Sequence, residues 1–173
     1  MSHRVHLAMA TITVSSILSM TGSAQEATPP AAAQPAGQNM TEMKFVTFPG
    51  LPTCLKGSVQ NGDPSKGPSI ILGKLAAGCS VPWHWHTPTE HLMIVSGTGK
   101  LEMKDGKPLL LRAGAFAMMP SRHVHQFRCT GPCALYIYSD GPFDTHFVDA
   151  QGQEIAPDVA LKAVKETVAT EMK

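Results

Sequence analysis

A chain of 173 residues is long enough for one domain with a proper core and short for two. Fourteen basic residues stand against thirteen acidic ones, a formal net charge of +1, with no basic run and no interleaving of aromatic and basic side chains. That balance argues against nucleic acid as a partner.

The first residues read as a signal peptide over 1–24. Arg4 forms a short charged start, an apolar run follows from Leu7 to Met20, and Gly22-Ser23-Ala24 supplies small residues before a cut at Gln25. The run is too short to span a bilayer comfortably, so no membrane association is expected after cleavage. No cysteine follows it to carry a lipid. The expectation is an exported protein, periplasmic or secreted, whose mature form carries thirteen basic and thirteen acidic residues once Arg4 is lost. Residues 25–42, rich in Ala, Pro, Gln and Gly, read as a disordered linker.

From residue 43 to 155 the chain reads as a barrel of short strands cut by turn residues. Strands are expected over 69–76, 81–86, 90–96, 99–104, 108–112, 115–119, 123–129, 133–139 and 145–149. Dense punctuation, such as Gly97-Thr98-Gly99 and Asp105-Gly106-Lys107, separates them. Many short strands at regular spacing predict an all-β sandwich or barrel. Residues 156–173 differ: Leu161, Val164, Val168 and Met172 recur at helical spacing, which predicts one amphipathic C-terminal helix.

Export makes disulfides accessible to the four cysteines. Cys129 and Cys133 bracket a turn between two apolar strands, and facing positions of such a hairpin favour a bridge over unpaired thiols. Cys54 and Cys79 are the remaining pair. No two cysteines have the spacing of a redox or thiolate-zinc motif.

The chemistry concentrates between Gly78 and Gly97. His84 and His86 lie one residue apart on a strand and so point the same way, Thr87-Pro88 turns the chain, and Glu90 opens the next strand. His125 arrives later. Three imidazoles and a carboxylate suit Fe, Mn, Ni, Cu or Zn, one divalent transition metal in all, and leave room for water, oxygen or substrate.

These residues resemble a known pattern. Gly78, His84, His86, Glu90 and Gly97 fit the first motif of the cupin superfamily at every fixed position. Gly114, Pro120 and His125 fit the second, with Arg122 where the family has glycine and Cys129 where it has asparagine. The resemblance implies a small double-stranded β-helix, or jelly-roll barrel, with His84, His86, Glu90 and His125 as metal ligands. It also makes a homodimer reasonable. Arginine does not enter left-handed conformations readily, so a modified turn is expected before His125.

Other residues weigh less. His91 has the opposite parity to Glu90 and should face away from the cavity. His123 and Arg122 are candidates for supporting a ligand or holding substrate, against structural or solvent-exposed roles. His146 should hydrogen-bond locally near Asp144. Trp83 and Trp85 should pack on the far side of their strand, the methionines should fill core, and Tyr136 and Tyr138 either line a cavity or cap its outside. Leu92, Ile94 and Phe127 are expected to wall an apolar cavity. Between Pro64 and Ser139 the only acids are Glu90, Glu102 and Asp105, so a separate acid–base carboxylate is absent there. That favours chemistry carried by the metal, and an oxygenase-like oxidoreductase acting on a small organic molecule. The alternative is a metal- or ligand-binding sensor module without turnover.

Overall fold

The computed structural model describes residues 36–163. Contacts divide the chain into two units, 1–37 and 38–173, and the account below concerns the second. The expected signal peptide, most of the linker and the end of the expected C-terminal helix lie outside the described residues.

Ten strands follow in order: β1 (Leu55–Gly62), β2 (Ser69–Leu75), β3 (Ser80–Trp85), β4 (Glu90–Ser96), β5 (Thr98–Met103), β6 (Leu109–Arg112), β7 (Phe116–Met119), β8 (His125–Cys129), β9 (Cys133–Ser139) and β10 (His146–Phe147). They form two five-stranded antiparallel sheets, ordered β1-β2-β9-β4-β7 and β10-β3-β8-β5-β6. From β2 onward the chain repeatedly crosses between the sheets, which is the wiring of an all-β jelly roll. Alternate residues of each strand therefore meet between the layers. Leu92 and Ile94 of β4, Leu101 of β5, Phe127 of β8 and Leu135 of β9 are buried there.

Strand β1 was not legible beforehand. Its sequence, Leu-Lys-Gly-Ser-Val-Gln-Asn-Gly, has few β-formers, yet it pairs with β2 along its length. Phe48 lies against Gly57, where a Cβ would come within 2.5 Å of its ring. Packing, not propensity, makes this strand. At the other end the expected strand over 145–149 shrinks to two residues.

Both cysteine pairs are disulfides. Cys54–Cys79 ties the start of β1 to the start of β3, with Cα atoms 5.7 Å apart, and Cys129–Cys133 closes the β8–β9 hairpin at 6.0 Å. Helix occupies 157–163, beginning with Pro157, whose missing N–H costs nothing in a first turn. Ala160 is the buried residue of that segment and Leu161 is half-buried.

Candidate metal centre

His84, His86, Glu90 and His125 converge between the sheets, each no more than 5% exposed. One ligand atom from each lies within 4.8 Å of every other. Local structure explains how. In β3 the ladder to β8 pairs Val81 with Phe127 and then jumps to pair His84 with His125, so a bulge falls at Pro82-Trp83. The extra residue flips the parity, and Val81 and His84 both face inward. The carbonyl of Pro82 accepts a hydrogen bond from His84 Nδ1 at 2.6 Å. His86 sits one residue past the strand. Glu90 opens β4 opposite Met119, and His125 opens β8 directly across from His84, their ring centroids 4.2 Å apart.

Each imidazole is fixed by a backbone carbonyl at its outer nitrogen. His84 Nδ1 donates to Pro82, His125 Nδ1 to the carbonyl of His123 at 2.8 Å, and His86 Nδ1 to the carbonyl of Asp144. A donating Nδ1–H leaves the Nε2 of a neutral ring with its lone pair bare, which is the ligand tautomer. Asp144 is itself held, its carboxylate accepting from the Thr87 amide at 2.7 Å and from the Thr87 hydroxyl. Thr87, Asp144 and His86 thus form a closed clamp.

The inner atoms are spaced for a guest. His86 Nε2 stands 3.5 Å and His125 Nε2 3.0 Å from Glu90 Oε2, yet His86 Nε2 and Glu90 Oε2 are buried and make no hydrogen bond. Two buried polar atoms left so are costly unless something between them is shared. Three imidazole nitrogens and a carboxylate oxygen aimed at one point fit a divalent transition metal.

Electrostatics agree with that donor set. Burial and the neighbouring His125 and His86 rings push the His84 pKa well below its ordinary 6.5, so it is neutral. Burial opposes charge on Glu90, but the His86 and His125 imidazoles outweigh it and hold the carboxyl well below its usual range. Burial also works against a charged His86, while Glu90 and the Asp144 carbonyl prevail and raise it. One anionic carboxylate thus faces rings that retain basic nitrogens.

The cavity beside these atoms is about 50 Å³ and is walled by apolar side chains, among them Leu55, Leu75, Leu92, Phe127 and Leu135. Leu92 and Phe127 line it as expected; Ile94 does not, being buried in the core instead. Apart from the four ligand residues, Thr145 is the one polar residue on its wall among the described residues. Phe143 closes one side, its ring stacked on His86 at 4.3 Å between centroids.

A cupin-domain family pattern matches residues 71–138, the stretch that carries all four ligand residues. That stretch is of cupin type. Solved structures agree in fold. The chain is similar to an RmlC-like cupin from Ralstonia eutropha at 19% identity and TM-score 0.57, covering 77% of this chain and 88% of that one. It is similar to an acetylacetone dioxygenase from Acinetobacter johnsonii at 18% and 0.56, covering 81% and 96%. It is also similar to the DMSP lyase DddQ from Ruegeria pomeroyi at 19% and 0.51, covering 67% and 61%. At these identities the likeness is one of fold alone. No curated protein matches the chain.

The remaining residues fall as follows. In the turn before His125, Arg122 itself takes φ +60°, the left-handed region that favours glycine, and the His123 amide donates to the Pro120 carbonyl at 3.0 Å. Two contacts offset the strain. The Arg122 amide donates to the His86 carbonyl at 2.8 Å, and its guanidinium lies 4.7 Å from the centre of the Trp85 ring. Neither Arg122 nor the His123 ring lines the cavity; it is the His123 carbonyl that supports a ligand. His91 faces outward among Phe116 and Tyr138, and Tyr136 and Tyr138 lie on that outer surface. Trp85 is covered by His146, stacked at 3.9 Å, whose nitrogens meet Asp144 and Glu154. Sequence reasoning expected a strand here and the local His146–Asp144 contact, but gave no site role to Phe143, Asp144 and Thr145, all of which touch the site. The acid census stopped at Ser139 and so passed over Asp144.

Proposed function

We propose that this chain is an exported metal-binding cupin enzyme, an oxygenase-like oxidoreductase acting on a small organic molecule. The observation that carries the reading is the set of four buried ligand atoms, with every imidazole fixed at Nδ1 by a backbone carbonyl. A bound divalent transition metal would supply Lewis acidity or one-electron redox chemistry at that point. The chain's own residues would do the rest. His84, His86 and His125 would present Nε2 to the metal, Glu90 would bring one compensating charge, and largely apolar side chains wall the cavity beside them. No cavity-lining residue besides the ligands can hold or move a proton except through the Thr145 hydroxyl, among the described residues. That poverty of acid–base groups favours metal-centred chemistry over proton shuttling. Export is supported by the leader pattern over 1–24 and by two disulfides, which persist in oxidising compartments.

A second reading has its own support. With about 50 Å³ beside the ligands and a single hydroxyl for orientation, the same barrel would serve as a metal-binding sensor without turnover. Oxygen uptake by protein loaded separately with iron, manganese, nickel or copper, screened against small neutral ketones, phenols and alcohols, separates the two. Substrate-dependent uptake that disappears with Glu90→Ala supports the enzyme. Full metal occupancy with no turnover of any of them supports the sensor.

A further inference from the structure

We propose that a second chamber, behind Phe143, holds the apolar body of a neutral small molecule whose reacting end meets the four-ligand site. The inference rests on the enzyme reading above and narrows its substrate class.

A cavity of about 390 Å³ lies next to the metal-capable one. Leu51, Leu55, Ile137, Phe143 and Thr145 line both, so these residues form the partition between them. The size is at the lower end of ordinary small-molecule sites. The inner cavity, by contrast, has room for an ion and only a few further atoms, so the bulk of any organic ligand must lie elsewhere. Phe143 stands on the border, stacked on His86 and tethered by its amide to the Pro64 carbonyl at 2.7 Å.

The space itself has a cause in the sequence. Gly57 and Gly73 are direct cross-strand partners of β1 and β2, and both line the chamber. Gly57 is required by the Phe48 ring against it. Gly73 is not required by anything comparable: its φ is not positive, and an added Cβ would meet only ordinary contacts of 3.7–3.9 Å. A glycine within a strand weakens it, and one with no local reason to be there marks a place where something else approaches the backbone. The remaining wall is largely apolar, with Phe48, Ile71, Phe147 and Pro157 prominent. Among the described residues no lysine or arginine lines either cavity, and Asp144 is the one carboxylate of the outer one. In the outer chamber an anionic group would find no basic side chain to offset its desolvation, whereas a neutral apolar body is not penalised in this way.

Toluene is the probe and benzoate its anionic counterpart, each titrated by NMR into the full-length protein, both metal-free and zinc-loaded, with metal content measured on the same samples. Wild type should bind toluene in both forms, and benzoate about tenfold more weakly or worse in the metal-free form, where no cation offsets its charge. Gly73→Val should weaken toluene about tenfold without lowering metal content. Gly73→Ala should weaken it less, and keeps the test standing if the valine variant does not fold. In manganese-loaded protein the bound toluene resonances should broaden relative to zinc-loaded protein, which places the probe beside the ligands. The proposal is overturned if wild type does not bind toluene, if the Gly73 variants bind it as wild type does, if benzoate binds the metal-free protein equally well, or if manganese leaves the resonances sharp. Metal uptake without toluene binding would sink the chamber alone; toluene binding without metal uptake would sink the metal reading on which the substrate role depends.

Discussion

Six histidines lie within the described residues, and they divide evenly into two groups that share a chemistry and not a role. His84, His86 and His125 are buried, donate Nδ1–H to a backbone carbonyl, and direct Nε2 to a common point with Glu90. His91, His123 and His146 do none of this together. His91 packs among aromatic rings on the outer face, His123 contributes its carbonyl, and His146 is shared by two carboxylates. The difference shows that residue type and even proximity do not make a ligand. Burial, a fixed outer nitrogen and convergence on a carboxylate are what mark a candidate ligand.

Substitution should separate the groups most sharply. His86→Ala is expected to remove most bound metal, a loss well beyond the roughly 10–100-fold typical of supporting residues, while His91→Ala leaves metal content unchanged. Elemental analysis of both variants reads this directly; metal retained without His86 and lost without His91 would reverse the parity assignment.

The two disulfides offer a second contrast, this time in stability. Replacing Cys54 and Cys79 by alanine opens a link 25 residues long in sequence and should cost about 3.5 kcal/mol, against about 2 kcal/mol for the four-residue Cys129–Cys133 link. Urea melts of the two double variants give the order. Equal losses would argue that chain entropy is not the dominant factor.

The Thr87–Asp144 clamp sharpens the comparison further. Asp144→Ala should let the carbonyl drift from His86 and weaken metal binding about tenfold, with Asp144→Asn recovering part of it. A competition titration against a chelator measures the change, and wild-type affinity in Asp144→Ala would show that the backbone alone places that carbonyl.

Acidity should act through His86. Its pKa lies above the ordinary 6.5 in the metal-free protein, because Glu90 and the Asp144 carbonyl outweigh burial. A metal must displace that proton, so affinity should rise as pH climbs through the raised His86 pKa, above 6.5, and fall as pH drops below it. His84, already neutral, should contribute no such dependence there. A flat affinity profile between pH 6 and pH 8 would contradict this assignment.

The smallest effect is expected at Arg122. Arg122→Gly relieves the left-handed strain but loses the stack on Trp85, so stability should change by less than about 1 kcal/mol. Arg122→Ala keeps the strain and loses the stack, and should be the less stable of the two by about 1 kcal/mol. Thermal melts of both variants decide it.

The fold and the convergence of His84, His86, Glu90 and His125 were legible because both follow from local pattern. Strand alternation placed His84 with His86 and turned His91 away, and turn residues marked nearly every strand from β2 onward. What escaped depended on distant packing. Strand β1 exists because Phe48 and β2 hold a glycine- and polar-rich segment, and no propensity announces that. The bulge at Pro82-Trp83 preserved an inward His84 through a change of register that a strict two-residue period does not contain. The 143–147 segment meets His86 across 58 residues of sequence, through a main-chain carbonyl that carries no side-chain signature. Arg122 was misjudged for a similar reason: the contacts that compensate its backbone come from Trp85 and His86 and are visible only in three dimensions.

The most direct test of the central claim is the metal content of the purified wild-type protein, measured as isolated and again after reloading. About one equivalent of iron, manganese, nickel, copper or zinc, lost on Glu90→Ala, is the result that the four converging ligand atoms predict. A folded barrel that stays empty after reloading with each of these ions would contradict it.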